Sequence, residues 1–481
     1  MRKRLLCCAL LITATGCAMV GPDYRRPAVD VPAAWRIEEK EALDLADTAW
    51  WEQFNDPVLN GLVRTALSEN KDLMIATARV EEFFGRYFST RGDQFPFPDA
   101  GASASRERVT EVGPTPIPSG VDSTFDYYEA FMSARWEIDF WGKYRRASEA
   151  ARAELFSTEE ARRTVVLTLV SAVAGAYVEI RALDKQLEIT RRTVKTRLQT
   201  LDLFKIRLDR GIIPEIDVSQ AEAEYEDALA RVPEIELAIA RTENALSILT
   251  GRNPGPIPRG LTIDELIPPA IPAGLPSDLL ARRPDIRAAE QALIAANARI
   301  GVAKSLYFPT ISLTGDLGTA SADLSDLFSG RSKVWNVGVP LTVPIFTAGR
   351  IGGEVKSAEA FRKQTLYDYL QTVQNAFREV DDALVNQKKS DQKLQSLVRQ
   401  TRALQNYARL AIMRYNEGVT SYLEVLDAER SLFNVELSKI AGRNAMLQAL
   451  IDIYKSMGGG WVATAETVVN SQPVKSAGYI P

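Results

Sequence analysis

Histidine is absent from the 481 residues, and the three cysteines, Cys7, Cys8 and Cys17, all fall in the first 17 positions. Ser-His-Asp and Cys-His nucleophile systems and His-ligated zinc are thereby excluded. Residues 18–481 can hold neither a disulfide between two of their own side chains nor a Cys-rich metal site. Carboxylates remain as the groups able to act. Glu424 and Asp427, in RYNEGVTSYLEVLDAE (414–429), lie three residues apart, on one helix face, just after a turn signal at Asn416 and Gly418. An acid pair can serve a cell-wall glycosidase, but no cleft-forming domain is visible around this one. Were copies of Asp427 gathered around an axis, they would form a carboxylate ring. At ~6 Å and an effective dielectric near ~20, each pair repels by roughly 3 kcal/mol, so such a ring attracts cations and disfavours small anions. As plain helix residues, the same acids would favour the first-turn dipole by about 0.3–1 kcal/mol each.

The remaining composition narrows the partners. A net charge of −4 gives no reason to expect nucleic acid. MRKR followed by LLCCALLITAT has the layout of a secretory signal. The run ends ATGC, which is similar to the lipobox of bacterial lipoproteins, with Ala14 where a leucine is usual. Cys17 is then the expected lipidated first residue of the mature chain, with MVGPDYRRP as an extended tether behind it. No later segment reaches the ~20 uninterrupted apolar residues of a membrane-spanning helix. Membrane crossing, if any, falls to strands.

What must position the acids is an internal duplication. NKDLMIATARVEEFFGRYFSTRGDQFP (70–96) matches RPDIRAAEQALIAANARIGVAKSLYFP (283–309). RLDRGIIPEIDVSQAE (207–222) matches the acid-bearing stretch 414–429, setting Gly211 on Gly418 and Asp217 on Glu424. Gln220 stands opposite Asp427, so the doubled acid belongs to the second copy alone. Each copy reads as a helix of about 25 residues ending at Phe-Pro, where proline stops it. Two alternating strand-like segments of about 10 residues follow, the length of a tilted transmembrane strand. After a Gly-basic bend comes a long helix, a glycine turn and a returning helix, 216–250 and 421–457. From Arg145 to Arg210 only Gly175 interrupts, and Val166, Leu169, Val173, Ala176, Ile180, Leu183 and Leu187 form a coiled-coil seam. Pro233 is expected to kink or break the first returning helix. Phe125, Tyr127, Tyr128, Trp136 and Trp335 are candidates for a membrane-interface belt.

Four strands cannot close a membrane barrel, which starts at about eight, and an open edge is not tolerated in lipid. The reading is therefore a mainly α chain with long coiled-coil helices and four strands contributed to an oligomeric β-barrel. A structural coiled-coil lipoprotein with a soluble sheet is the alternative.

WWEQFNDPVLNGLV (50–63), LLARRPDIRAAEQ (279–291), WEIDFWGKYRR (136–146), LTVPIFTAGR (341–350), YLEVLDAERSLF (422–433) and GGGW (458–461) together resemble the TolC-type outer-membrane efflux channels, in the lipoprotein branch called NodT-like or OprM-like. The resemblance covers essentially the whole mature chain. It implies a homotrimer in the outer membrane, with a twelve-stranded β-barrel and a periplasmic α-barrel. It further implies a non-enzymatic exit duct without cofactor, partnered by a periplasmic membrane-fusion adaptor and an inner-membrane RND-type pump. Heavy-metal efflux and type I protein secretion are the alternative duties. By motif, Asp427, Glu424 and Asp217 match the acidic constriction at the periplasmic tip, beyond the turns at Gly211 and Gly418. Tyr415 matches a gate tyrosine, Arg414 a residue able to tie neighbouring hairpins, and Thr420 stands where some members carry a linking arginine. The expected segments are 1–16 signal peptide, 17–60 tether and equatorial segment, 61–260 first repeat, 261–461 second repeat and 462–481 C-terminal tail.

Overall fold

The computed structural model describes residues 19–36, 49–113, 120–271, 276–458, 462 and 465. Cys17, the signal segment and nearly all of the C-terminal tail lie outside the described residues. The helices are α1 (Pro57–Glu69), α2 (Lys71–Gly92), α3 (Lys143–Asp209), α4 (Glu215–Leu249), α5 (Pro284–Ser305), α6 (Arg350–Asn416) and α7 (Tyr422–Ser456). The strands are β1 (Phe97–Arg108), β2 (Thr124–Glu137), β3 (Thr310–Ser321), β4 (Lys333–Gly338) and the short β5 (Leu341–Thr342).

The duplication is carried through to the residue. α2 and α5 have 22 residues each, α3 and α6 have 67, α4 and α7 have 35, and β1 and β3 have 12. Gly142, Gly211 and Gly251 and their counterparts Gly349, Gly418 and Gly458 all take left-handed backbone. A 67-residue helix is on the order of 100 Å long.

The chain packs as two compact units. The first comprises Met1–Ala28, Val80–Thr158 and Ala289–Tyr369. Its sheet has the order β1-β2-β3-β4, antiparallel throughout, so β1 and β4 are its edges. Pro340, which has no backbone N–H to donate, ends the fourth strand early, and β5 pairs separately with β3. The register sorts the central rows by polarity. Ala100, Met132, Leu317 and Trp335 stand in one row across the four strands, with Pro98, Ala134, Gly315 and Val337 in the next row on that face. The opposite face carries Asp99, Ser133, Asp316 and Asn336 in a row, and Ser133 donates to Asp99 at 2.6 Å. Tyr128, Trp136 and Trp335 belong to the apolar face. Phe125 and Tyr127 fall on the polar one and leave the expected belt, because a strand's side chains alternate.

Residues 19–28 lie along this unit. Val20 N–H donates to the Trp141 carbonyl at 2.9 Å, Asn297 Nδ2 to the Pro22 carbonyl at 2.8 Å, and Arg146 pairs with Asp23 at 2.7 Å. Arg26 and Tyr24 both reach Glu290. Gly21 and Gly301 touch backbone to backbone: a Cβ on Gly21 would sit 2.5 Å from the Gly301 Cα.

The second unit comprises Val29–Arg79, Glu159–Ala288 and Leu370–Pro481. Trp50 stacks on Tyr454, with ring centroids 5.1 Å apart. Asp56 caps α1 through Val58 N–H and accepts from Tyr177 Oη at 2.7 Å and Leu261 N–H at 2.9 Å. Arg283, from the ARRPD stretch, pairs with Asp285 and Glu379 and donates to the Ser456 carbonyl at 2.8 Å. The expected α3 seam is real: Val166, Leu169, Val173, Ile180 and Leu183 are buried. Gly175 admits Gln448, whose Nε2 donates to its carbonyl at 2.7 Å.

Two helices bear on the expectations above. An 18-residue window of α3 is apolar enough to cross a membrane by composition, but 72% of it is buried inside the protein, so it is core. Pro233 does not break α4, which runs unbroken from Glu215 to Leu249. The carbonyl it deprives of a partner, on Leu229, belongs to an exposed residue that water can serve.

Candidate functional site at the hairpin tips

In the second unit α3 and α4 form one helical hairpin and α6 and α7 another. Both turns close the same way. Gly211 N–H donates to the Leu208 carbonyl and Ile212 N–H to the Arg207 carbonyl; Gly418 and Val419 repeat this with Tyr415 and Arg414. This is the Schellman pattern, in which the residue after the helix must be left-handed. Gly211 and Gly418 supply it, at φ +69° and +70°.

Beneath the turns the helices share a core of Leu201, Phe204, Val218, Ala221, Ala408, Ala411, Tyr422, Val425, Leu426 and Ala428. Tyr422 meets Phe204 edge-on at 4.4 Å, and Tyr415 lies 5.5 Å from Tyr422. Arg207 donates to Tyr415 Oη at 3.3 Å, so the tyrosine bridges the two hairpins.

The acids have unequal surroundings. Glu424 is held twice: Arg414 pairs with it at 2.8 Å and the Thr420 hydroxyl donates to its second oxygen. Arg414 thus clamps its own turn rather than reaching to the other hairpin of the chain, and Thr420 joins the same clamp. Asp427 is exposed, with a long 3.5 Å contact to Arg430 one turn on. Asp217 is half-buried in the first turn of α4.

Sequence reasoning missed Arg197 and Glu429. Arg197 is buried on α3, pairs with Glu224 at 2.8 Å and Asp227 at 3.5 Å, and stacks over Phe433 at 5.3 Å. Glu429 sits half-buried beside this group, and burial pushes its carboxyl up, with Arg197 opposing and Glu224 adding. The signal was available: Thr190, Val194, Arg197, Leu201 and Phe204 follow coiled-coil spacing, so Arg197 occupies a seam position. Among the described residues no group of three or more Cys, Asp or Glu could hold a metal ion. The tip thus presents an exposed carboxylate, a clamped one and a tyrosine shared between the hairpins.

Known proteins agree with this architecture. The outer membrane efflux protein family matches residues 62–252 and again 275–459, one match per repeat. The probable efflux pump outer membrane protein TtgC of Pseudomonas putida is 35% identical over 471 residues, covering 96% of each chain. The cation efflux system protein CusC of Escherichia coli O6:H1 is 35% identical over 464 residues, 95% of this chain and 99% of CusC. The probable outer membrane lipoprotein SilC of Salmonella typhimurium is 34% identical over 466 residues, 96% of this chain and 99% of SilC. A crystal structure of CusC, described in connection with transmembrane channel formation, superposes with a TM-score of 0.82 at 34% identity, over 91% of this chain and 99% of that one. A duplicated chain of long helical hairpins and a two-faced antiparallel sheet, matched end to end by these proteins, belongs to the outer membrane efflux protein family.

Proposed function

We propose that three copies of this chain close into a twelve-stranded barrel in the outer membrane and serve as the passive exit duct of a tripartite efflux system. The observation that carries this is the sheet. Its two central rows on one face are apolar across all four strands and the row opposite them is polar, while the outer edges of β1 and β4 have no strand partner among the described residues. In hydrocarbon each unpaired backbone group costs several kcal/mol, so a membrane sheet must close. Closure requires β4 of one chain to pair with β1 of the next, head to tail. Two chains give eight strands and a filled interior, whereas three give twelve and room for a lumen. The polar row with Asp99 and Asp316 then faces water and the row with Met132, Leu317 and Trp335 faces lipid.

The long hairpins form the periplasmic conduit, and their tips form its gate. Asp427, exposed and weakly held, supplies a carboxylate ring at the constriction. Glu424, Asp217, Arg414 and Tyr415 set the hairpin geometry around it. A membrane-fusion adaptor and an inner-membrane RND-type pump supply the cargo and the energy, so the duct needs neither catalysis nor cofactor. Cys17 carries the lipid anchor. Organic compounds are the favoured cargo; metal cations are the second reading, supported by the name of CusC.

Purified protein in detergent tests the reading. Trimers by light scattering and cation-selective conductance in planar bilayers are expected. A monomer that stays soluble without detergent and conducts nothing overturns it.

A further inference from the structure

Behind the second tip one buried cation faces several carboxylates. Arg197 on α3 pairs with Glu224 and Asp227 on α4. Its guanidinium lies over the Phe433 ring of α7, and Arg231 of α4 lies over the same ring at 5.1 Å. Arg231 also donates to Asn434 at 3.2 Å, Arg192 pairs with Glu436 at 2.7 Å, and Arg430 approaches Glu224 at 3.9 Å. These contacts tie the first hairpin to α7 of the second. Glu429 completes the group without an ion pair or hydrogen bond among the described residues, enclosed with Arg197, Ala221, Glu224, Tyr422 and Leu426.

The arrangement breaks the duplication. By repeat position Arg197 corresponds to Leu404, Glu224 to Ser431, Asp227 to Asn434 and Phe433 to Glu226. Glu222, the counterpart of Glu429, is exposed. A structural seam between two equivalent hairpins would not need this asymmetry.

We propose that Arg197, Glu224 and Glu429 form a proton-sensitive latch that holds the second hairpin tip against the first. Resting on the gate reading, this names what regulates the gate. Arg197 is the positioning residue and Glu429 the sensor. With Glu224 and Asp227 already on Arg197, an ionised Glu429 leaves excess negative charge in a poorly solvated place. The other titratable group lining the same enclosure is Tyr422 on its own helix; Tyr225 on α4 and Tyr407 and Tyr415 on α6 pack against the adjoining core, Arg430 approaches Glu224, and Arg231 approaches Asp227. Tyr422 is itself pushed up, chiefly by burial. Of the two arginines, Arg430 is exposed and Arg231 is engaged by Phe433, Asp227 and Asn434.

The sign follows from burial. An acid whose packed-state pKa is raised costs the packed state nothing below its ordinary value, and imposes its full penalty above the raised one. The packed seam is therefore favoured at low pH and loosens as pH rises through that window. Each pH unit of elevation changes the packed-to-loosened ratio about tenfold.

Two readouts test the latch. Spin labels at Arg210→Cys and Glu417→Cys, repeat-matched exposed sites on the two tips, report their separation in the detergent-solubilised protein. Planar bilayers report conductance. In otherwise unaltered protein the tip separation and the open fraction are expected to rise as pH climbs above the ordinary carboxylate range. Glu429→Gln, isosteric and relieved of the charge, should hold the low-pH separation throughout, while Glu429→Asp keeps the response. A Glu429→Gln protein that retains the parent pH response, or a parent separation indifferent to pH, overturns the latch. Conductance with unresponsive tips leaves the duct standing and removes the latch; responsive tips without conductance do the reverse.

Discussion

The two hairpin tips share a backbone and differ in charge. Gly211 and Gly418 sit in the same left-handed turn with the same pair of closing hydrogen bonds. Around that common frame, the first tip offers Asp217 and Gln220 where the second offers Glu424 and Asp427, and the second alone has a clamp across its turn. The two copies keep the same means of reversing direction and differ in the charges placed around it. A ring built from equivalent hairpins would present six similar ends, whereas this chain presents alternating ends, only half of which carry Asp427.

The largest expected effect probes the cation that one copy has and the other lacks. Arg197→Met should lower stability by about 1.5–3 kcal/mol, since it leaves the partly buried Glu224 without its cation, while Leu404→Met should cost less than about 1.5 kcal/mol. Denaturant titration followed by dichroism measures both, and equal losses would mean the buried arginine is mere packing. Next come the turns. Gly211→Ala and Gly418→Ala should each cost about 1–2 kcal/mol through the left-handed backbone, because a Cβ at either position meets nothing within 4 Å. A clear inequality between them would break the backbone equivalence. Smaller still, Glu424→Gln should cost under about 1 kcal/mol, and the loss should shrink in high salt, as expected of a partly exposed pair. Asp427→Asn should leave stability nearly unchanged yet lower the cation-to-anion permeability ratio, and Gln220→Asp should raise it. Opposite signs in that last pair would sharpen the comparison; no change in either would remove Asp427 from the constriction.

Much of this was readable before any coordinates. Glycine turns, Phe-Pro stops and seam spacing are local signals, and the elements they bound recur with equal lengths in both copies. The sheet's two faces needed register, which alternation alone does not supply; this is why Phe125 and Tyr127 were grouped with the wrong aromatic residues. Pro340 was visible, but its effect depended on which neighbour wanted its missing N–H. Pro233 stands inside a continuous α4, and the carbonyl it deprives of a partner belongs to Leu229, an exposed residue. The tip acids were legible as types and spacing, while the partners of Glu424 were not, since they lie across a turn. Arg197 and Glu429 were missed because charged residues are ordinarily read as solvated, even at seam positions.

The sheet's two bare edges reach beyond architecture into inheritance. If each chain completes its neighbour, a strand damaged in one copy of the gene harms walls that sound chains have built. Defective alleles with an intact β1 and a ruined β4 should therefore be dominant when expressed beside the normal one, whereas alleles that never fold should be silent.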